Sequence, residues 1–141
     1  MIAAVRTERP ALCFFLGDGE RDLKALQERY PALPVFAVRG NCDLRSGLSS
    51  SLVCTVGGVR VLAVHGHLHQ VKYEPGLESL TAAAKEAGAQ LALFGHTHRP
   101  TLETRQGITL LNPGAAGSGK HGTYAVLSLE DGRFQAELKS I

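Results

Sequence analysis

Residues 91–98 read Leu-Ala-Leu-Phe-Gly-His-Thr-His, an apolar run of four residues followed at once by a glycine and two histidines. The apolar run predicts a buried strand, and residues two apart at the end of a strand point the same way. We therefore expect His96 and His98 to face one centre or two adjacent ones. Neutral imidazole is a good ligand for Mn, Fe, Co, Ni and Zn. The segment predicts a strand that delivers metal ligands at its carboxyl end.

Four other apolar runs end in small polar clusters in the same way. The clusters are Gly17-Asp18-Gly19, Gly40-Asn41-Cys42-Asp43, His65-Gly66-His67 and Asn112-Pro113-Gly114. In layered α/β folds, ligands bind beyond the carboxyl ends of the strands, and carboxylate and amide oxygens can complete an imidazole ligand set. Together the five strands predict one metal-centred site at a single edge.

Each cluster also has a simpler structural explanation. Asp18 is a candidate N-cap for the helix that begins near Gly19, and Asn41 follows a glycine, as turn residues often do. Asn112-Pro113-Gly114 is by itself a turn signal. The paired histidines are harder to explain as loop residues because they directly follow apolar strands.

Length and composition indicate one soluble globular domain over residues 1–141. Hydrophobic residues make up 44% and charged residues 20% of the chain, and the net charge of +2 gives no support for a nucleic-acid or membrane-surface partner. Three cysteines without CxxC spacing favour a reducing compartment, with Cys13 and Cys54 expected in the core. With neither a signal-peptide pattern nor a bilayer-length apolar run, we expect a cytoplasmic protein.

The periodicity predicts alternating helices and strands at first and mostly strands later. Helices are expected over 1–9, 20–30 and 77–87, and strands over 11–16, 35–38, 52–56, 59–64, 91–94, 101–104, 108–111, 122–129 and 133–139. Gly57-Gly58 and Asp131-Gly132 predict hairpin turns. A polar loop is expected over 66–75 and a mobile loop over 114–119. This order favours two packed sheets with helices on the outer faces.

The motifs in this order closely resemble those of the calcineurin-like metallophosphoesterases, and within them the small prokaryotic phosphodiesterases. The resemblance covers the chain from about Ala11 to the C-terminus, and Gly40-Asn41-Cys42-Asp43 and Gly95-His96-Thr97-His98 are its most specific motifs. It implies a four-layer α/β/β/α sandwich of two mixed sheets. It also implies a site for one or two divalent ions of Mn, Ni, Fe, Co or Zn.

The resemblance assigns a role to each cluster. Asp18 would bridge two metals, one of them completed by Asn41, His65 and His96 and the other bound by His98. Asn41 and His67 would be the catalytic residues, and His67 would face the substrate phosphate, although a plain loop histidine is an equal alternative. The residues expected at the substrate are Cys42, His67, Asn112 and Gly114. His69 and His121 are candidates for the mouth of the site.

One family motif has no counterpart here. The family begins with a strand that ends in Asp-x-His, and no aspartate or histidine precedes Asp18. We therefore expect a fold without that first strand, one complete metal position and weak binding of any second ion. The strand at 11–16 would keep an unpaired edge, which predicts pairing with a second copy of the chain.

Two functions from different classes follow from this resemblance. The first is a metal-dependent phosphoesterase that uses metal-activated water to hydrolyse phosphodiesters, or phosphomonoesters, of a small phosphorylated substrate. The alternative is a catalytically impaired or non-catalytic scaffold, as in a eukaryotic retromer subunit of similar fold. A nucleic-acid-binding module is disfavoured by the scattered basic residues.

Overall fold

The computed structural model describes residues 1–117 and 122–141 and shows alternating helices and strands followed by strands alone. The elements, in chain order, are α1 (Ile2–Glu8), β1 (Cys13–Phe15), α2 (Glu20–Arg29), β2 (Val35–Ala37), β3 (Ser51–Val56), β4 (Val59–Val64), a 3-10 turn (His67–His69), α3 (Glu78–Glu86), β5 (Leu91–Leu93), β6 (Thr101–Arg105), β7 (Ile108–Asn112), β8 (Thr123–Glu130) and β9 (Arg133–Ser140). The expected elements are present, most with ends shifted by one or two residues. The 3-10 turn lies inside the segment expected to be a polar loop.

A five-stranded mixed sheet forms the centre of the molecule, in the order β3-β4-β5-β7-β6. The inner strands β4, β5 and β7 run parallel, and β3 and β6 pair antiparallel at the two edges. Residues of β5 are buried on both faces, which explains why the strand is a continuous apolar run and does not alternate. The parallel strands bring their carboxyl ends to one edge of the sheet.

Each face of this sheet has its own hydrophobic core. On one face α3 packs Leu80 and Ala84 against sheet residues such as Phe94. On the other face, buried residues such as Val61 and Leu93 contact β1, β8 and β9. The architecture is the expected α/β/β/α sandwich, with α3 as one outer layer and α1 and α2 as the other.

The second sheet layer is not one continuous mixed sheet. It consists of a parallel pair, β1–β2, and an antiparallel pair, β8–β9. Within the described residues, β1 forms strand pairing only with β2. The chain bridges the two pairs through α1, where Glu8 accepts hydrogen bonds from Tyr124 of β8 at 2.7 Å and Lys139 of β9 at 3.1 Å.

Local backbone chemistry explains the turns and the ends of the first helix. Both hairpins have the left-handed residues that a tight two-residue turn requires, with φ of 55° and 77° at Gly57 and Gly58 and 51° and 73° at Asp131 and Gly132. Helix α1 has no side-chain N-cap and ends at Arg9 in the left-handed conformation. No described helix has the length and apolar character needed to cross a membrane.

Candidate metal centre

Four side chains from four different strand ends meet at one edge of the sandwich. Asp18 follows β1 and Asn41 follows β2, which run parallel. His65 directly follows β4 and His96 follows β5, which also run parallel. The two parallel pairs lie in different layers, so the cluster spans the interface between the two sheets.

His65 lies at the centre of this cluster. Its Nε2 atom is 3.2 Å from Asp18 Oδ2, 3.1 Å from Asn41 Oδ1 and 3.1 Å from His96 Nδ1. Donor atoms of Asp18, His65 and His96 all lie within 4.8 Å of one another. The four residues that the sequence analysis expected to share one cation are therefore brought together.

These separations are those of ligands around one transition-metal ion. With metal–ligand bonds of about 2.1 Å, two ligands at right angles lie about 3.0 Å apart and two tetrahedral ligands about 3.4 Å apart. The measured separations of 3.1–3.2 Å fall between these two values. An ion would fit among the donor atoms with small movements of the side chains.

The hydrogen bonding of His65 leaves a lone pair directed at this position. Its Nδ1 lies 2.6 Å from the carbonyl oxygen of Leu16, and a carbonyl oxygen only accepts, so Nδ1 carries the proton. In the neutral ring Nε2 is then unprotonated. It faces a carboxylate oxygen, an amide oxygen and a second imidazole nitrogen. Facing acceptors of this kind need a proton or a cation between them, and a metal ion at this position would satisfy all of them at once.

The environment of His96 favours its neutral, metal-binding form. Burial lowers the pKa of His96, and the positive charge of Lys72 and the neighbouring rings of His65 and His67 lower it further, against the opposing effect of Asp18. A neutral ring keeps a nitrogen lone pair available as a ligand. The pKa shift therefore acts in the direction that supports coordination.

Two glycines allow the loops after β1 and β2 to touch. A Cβ atom on Gly17 would lie 2.5 Å from the backbone nitrogen of Gly40, and one on Gly40 would lie 1.9 Å from Asp18 Oδ1. Asp18, His96 and His98 have φ values of 57°, 65° and 57°. Left-handed non-glycine residues are strained and cluster at functional sites. The site is therefore built on strained backbone held by close packing.

Asp18 does not cap helix α2, which was the alternative role that the sequence analysis left open for it. Gly19 is the N-cap of α2, with no side-chain capping hydrogen bond. The Oδ1 atom of Asp18 accepts a hydrogen bond from the backbone of Cys42 at 2.8 Å, and Oδ2 faces His65. The carboxylate thus joins the two loops and points its second oxygen into the cluster.

Asp43 is a structural residue of the site that the sequence analysis quoted only as part of a motif. Its carboxylate is buried and accepts backbone hydrogen bonds from Asp18 at 2.8 Å, Gly40 at 2.9 Å and Gly19 at 3.3 Å. Burial alone would raise the pKa of Asp43, but the backbone donors of Gly40, Asp18, Gly19 and Glu20 outweigh burial and lower it. Asp43 therefore fixes the Asp18 loop against the Asn41 loop as a carboxylate.

Asn112 lies beneath the site, which corrects the expectation that it faces the substrate. Its side chain is 0% exposed. It donates to the carbonyl of Gly95 and to the hydroxyl of Thr97, both at 2.9 Å, and accepts from the backbone of Gly114 at 2.8 Å. With its amide fully engaged, Asn112 supports the loop that carries His96 and has no group left for a substrate.

Gly114 is likewise enclosed by its neighbours. It has a φ of 83°, and a Cβ atom there would lie 2.0 Å from Thr123 Oγ1 and 2.9 Å from Pro100 Cγ. The position requires glycine for a close approach of chain segments. Close packing therefore explains why residue 114 is a glycine, and the expected contact with the substrate is not needed to explain it.

The remaining predicted residues surround the cluster. The ring of His67 has its centroid 5.4 Å from that of His65 and 6.1 Å from that of His96, and its Nδ1 is buried without a hydrogen-bond partner. Burial lowers the pKa of His67, and the neighbouring ring of His65 lowers it further. His98 is exposed and is not part of the compact donor group.

Cys42 and His69 lie beside the site but outside the donor group. The thiol of Cys42 is exposed, and a hydrogen bond to Asp18 raises its pKa. His69 ends the 3-10 turn, its Nδ1 atom is buried without a partner, and burial lowers its pKa. His121, expected at the mouth, and part of the predicted mobile loop at 114–119 lie outside the described residues.

Comparisons with known proteins find relatives over most of the chain. Residues 2–132 match the calcineurin-like phosphoesterase superfamily domain. A probable metallophosphoesterase of Bacillus subtilis is 36% identical over 124 residues, which cover 85% of this chain and 69% of the relative.

Two solved structures show the same fold over nearly the whole chain. A conserved uncharacterized protein of Streptococcus pneumoniae, described as a predicted phosphoesterase, superposes with a TM-score of 0.79 at 26% identity, covering 99% of this chain and 80% of that one. A single mutant of Vps29 from Entamoeba histolytica has a TM-score of 0.78 at 21% identity, covering 99% of this chain and 87% of that one. From the domain match, the Bacillus relative and the shared fold, we conclude that this chain belongs to the calcineurin-like phosphoesterase superfamily.

Proposed function

We propose that this chain is a metal-dependent phosphoesterase that hydrolyses phosphodiester bonds at the centre formed by Asp18, Asn41, His65 and His96. The observation that carries the proposal is the convergence of four donor atoms from four strand ends around His65 Nε2. The family implies a divalent metal cofactor, and the donor set fits one. A carboxylate, an amide oxygen and two imidazoles suit Mn, Fe, Co, Ni or Zn. We propose that the availability of these metals decides which one binds.

The residues of the chain prepare this centre before any substrate binds. A bound divalent cation supplies Lewis acidity and a water nucleophile near neutral pH. Leu16 holds His65 in the tautomer that presents Nε2, and the backbone of Cys42 orients the carboxylate of Asp18. Because these groups are already positioned, little reorganisation is needed when the charge of the reacting phosphate changes.

We assign His67 to the substrate phosphate. It lies against His65 and His96, and within the part of the chain that the structure describes its buried Nδ1 has no hydrogen-bond partner. Its lowered pKa keeps the ring neutral near pH 7, so one nitrogen can donate a hydrogen bond to a phosphoryl oxygen. The hydrogen bond to Asp18 raises the pKa of Cys42, so Cys42 remains a thiol, and we propose that it lies beside the leaving group.

One tightly bound ion per chain is the expected stoichiometry. Among residues 1–117 and 122–141, the structure supplies one compact set of donors, and His98 lies outside it. A second ion would share Asp18 and would need ligands besides His98. We therefore propose a centre that holds one cation firmly and a second cation weakly.

The openness of the site supports a small phosphodiester as substrate. Asn41, Cys42 and His98 are all exposed, so an ester group can extend from the phosphate on more than one side. We therefore propose the bond class and leave the ester groups unspecified.

Hydrolysis of bis(p-nitrophenyl) phosphate with added Mn²⁺ or Ni²⁺ tests the proposal. We expect metal-dependent release of p-nitrophenol, and slower hydrolysis of the monoester p-nitrophenyl phosphate. His96→Ala should reduce the rate by about 100-fold or more, since loss of groups that merely orient ligands already costs 10–100-fold. His69→Ala, which removes a neighbouring histidine outside the donor group, is the matched control.

The same preparations separate the alternative functions. Equal rates for the native chain and His96→Ala would contradict a catalytic role of the centre. Tight binding of one Mn²⁺ per chain without any hydrolysis would favour the non-catalytic scaffold, and a faster monoester reaction would reject the phosphodiester preference.

A further inference from the structure

A cavity of about 630 Å³ lies at the opposite end of the β1–β2 pair from the metal centre. It opens between the last turns of α1 and α2, where Pro10 leads into β1 and Pro34 leads into β2. The metal ligands Asp18 and Asn41 follow the carboxyl ends of the same strands.

The charged residues that line the cavity are three exposed arginines. Arg6, Arg9 and Arg29 line it, and none of its lining residues is acidic. Among residues 1–117 and 122–141, none of these three guanidinium groups has a carboxylate within 4.0 Å. The neighbouring carboxylate of Glu8 is bound to Tyr124 and Lys139. The charge of the three arginines is therefore available to a ligand.

The negative ends of the helix dipoles offset only part of the positive charge of these arginines. The cavity receives the carboxyl ends of α1 and α2, and arginines in a last turn commonly offset the negative end of the helix dipole. Arg6 and Arg29 occupy such positions. Each helix end is equivalent to about half a negative charge, so two ends offset about one of three positive charges. A surplus of about two remains.

The walls of the cavity also suit an organic group. Tyr30, Pro10 and Pro34 supply apolar surface, and the guanidinium carbon of Arg29 lies 5.8 Å from the centroid of the Tyr30 ring. Aromatic and guanidinium faces stack readily on flat rings. The volume lies within the range of about 300–1,000 Å³ that is usual for small-molecule sites.

We propose that this cavity binds an organic diphosphate of the nucleotide class, with the diphosphate at Arg6, Arg9 and Arg29 and the ring against Tyr30. The ligand charge of two or more matches the surplus at the arginines, and the apolar wall takes the base. This inference goes beyond the proposed phosphoesterase activity and does not depend on it, because no residue of the metal centre lines the cavity.

Calorimetric titration with ADP in the presence of EDTA tests the proposal, since the chelator keeps cations from the metal centre. We expect saturable binding of one ADP per chain. Pyrophosphate, which has the charge alone, should bind more weakly, and adenosine, which has the ring alone, at least about tenfold more weakly. The double variant Arg6→Gln, Arg29→Gln should weaken ADP binding at least about tenfold.

A control variant makes the outcome unambiguous. Arg133→Gln removes an exposed arginine far along the chain and should leave ADP affinity within about twofold, and thermal unfolding of each variant verifies the fold. Absence of saturable binding up to about 5 mM ADP, or equal affinities of the double variant and Arg133→Gln, would overturn the proposal.

Discussion

Removing the carboxylate of Asp43 should destabilise the protein severely, although Asp43 is not among the proposed metal ligands. In Asp43→Ala the backbone N–H groups of Asp18, Gly40 and Gly19 lose their acceptor. Each buried donor left unsatisfied costs about 1–3 kcal/mol. Because the bond from Gly19 is long at 3.3 Å, we count only the other two donors and expect a loss of about 2–6 kcal/mol.

Urea unfolding followed by circular dichroism measures this loss as a change in the free energy of unfolding. Asp22→Asn is the matched control, because Asp22 is an exposed carboxylate in the first turn of α2 and should contribute about 1 kcal/mol or less. In Asp43→Asn one oxygen can keep the two short bonds, so the loss should be smaller and Mn²⁺ affinity should fall about 10–100-fold. If Asp43→Ala were as stable as Asp22→Asn, the bracing role would be refuted.

Three further predictions concern the loops, the first helix and the strand edge. Gly40→Ala should displace the carboxylate of Asp18, since the added Cβ atom would lie 1.9 Å from Asp18 Oδ1. Calorimetry should then show loss of Mn²⁺ binding. In the control Gly47→Ala the added Cβ atom meets no atom within 4 Å, so this variant should bind Mn²⁺ normally. Hydrogen bonds from Tyr124 and Lys139 lower the pKa of Glu8, so its stabilising effect is present above the unfolded pKa of about 4.3 and is lost as pH falls through the lower folded pKa. The difference in Tm between the native chain and Glu8→Gln should therefore be present at pH 6 and vanish in acid, and a difference independent of pH would contradict this. We also propose that the free edge of β1 pairs with a second copy, so light scattering should show dimers that increase with concentration, and a monomer at all concentrations would reject the pairing.

The sequence predicts most of the elements. Continuous apolar runs such as residues 91–94 indicate strands buried on both faces, because a strand with a solvent-exposed face usually alternates polar and apolar residues. Parallel strands place their ends at one edge, which predicts that the polar clusters after them lie close together. The grouping of Asp18, Asn41, His65 and His96 around one ion comes from the resemblance to the family, and it stays a prediction that the measured distances support.

The supporting residues could not be found in the same way. Asp43 accepts hydrogen bonds from backbone groups up to 25 residues away, and any polar side chain near a glycine turn has the same local signature. Asn112 was read as a substrate contact because its Asn-Pro-Gly cluster resembles the others. Its burial depends on the pairing of β7 with β5, which is a tertiary property. The division of the second layer into two strand pairs depends in the same way on which edges meet in space.

The position of the centre between two layers determines what holds it together. The β1–β2 pair supplies Asp18 and Asn41, and the five-stranded sheet supplies His65 and His96. The hydrogen bond from His65 to the carbonyl of Leu16 crosses directly from one layer to the other. The ligand geometry therefore depends on how the layers pack, and the apolar residues between them, such as Val61 and Leu93, set the spacing of the donors. A change in that core that shifts one sheet by even half an ångström would separate the carboxylate and amide oxygens from the imidazoles, so in this molecule core packing and metal affinity are coupled.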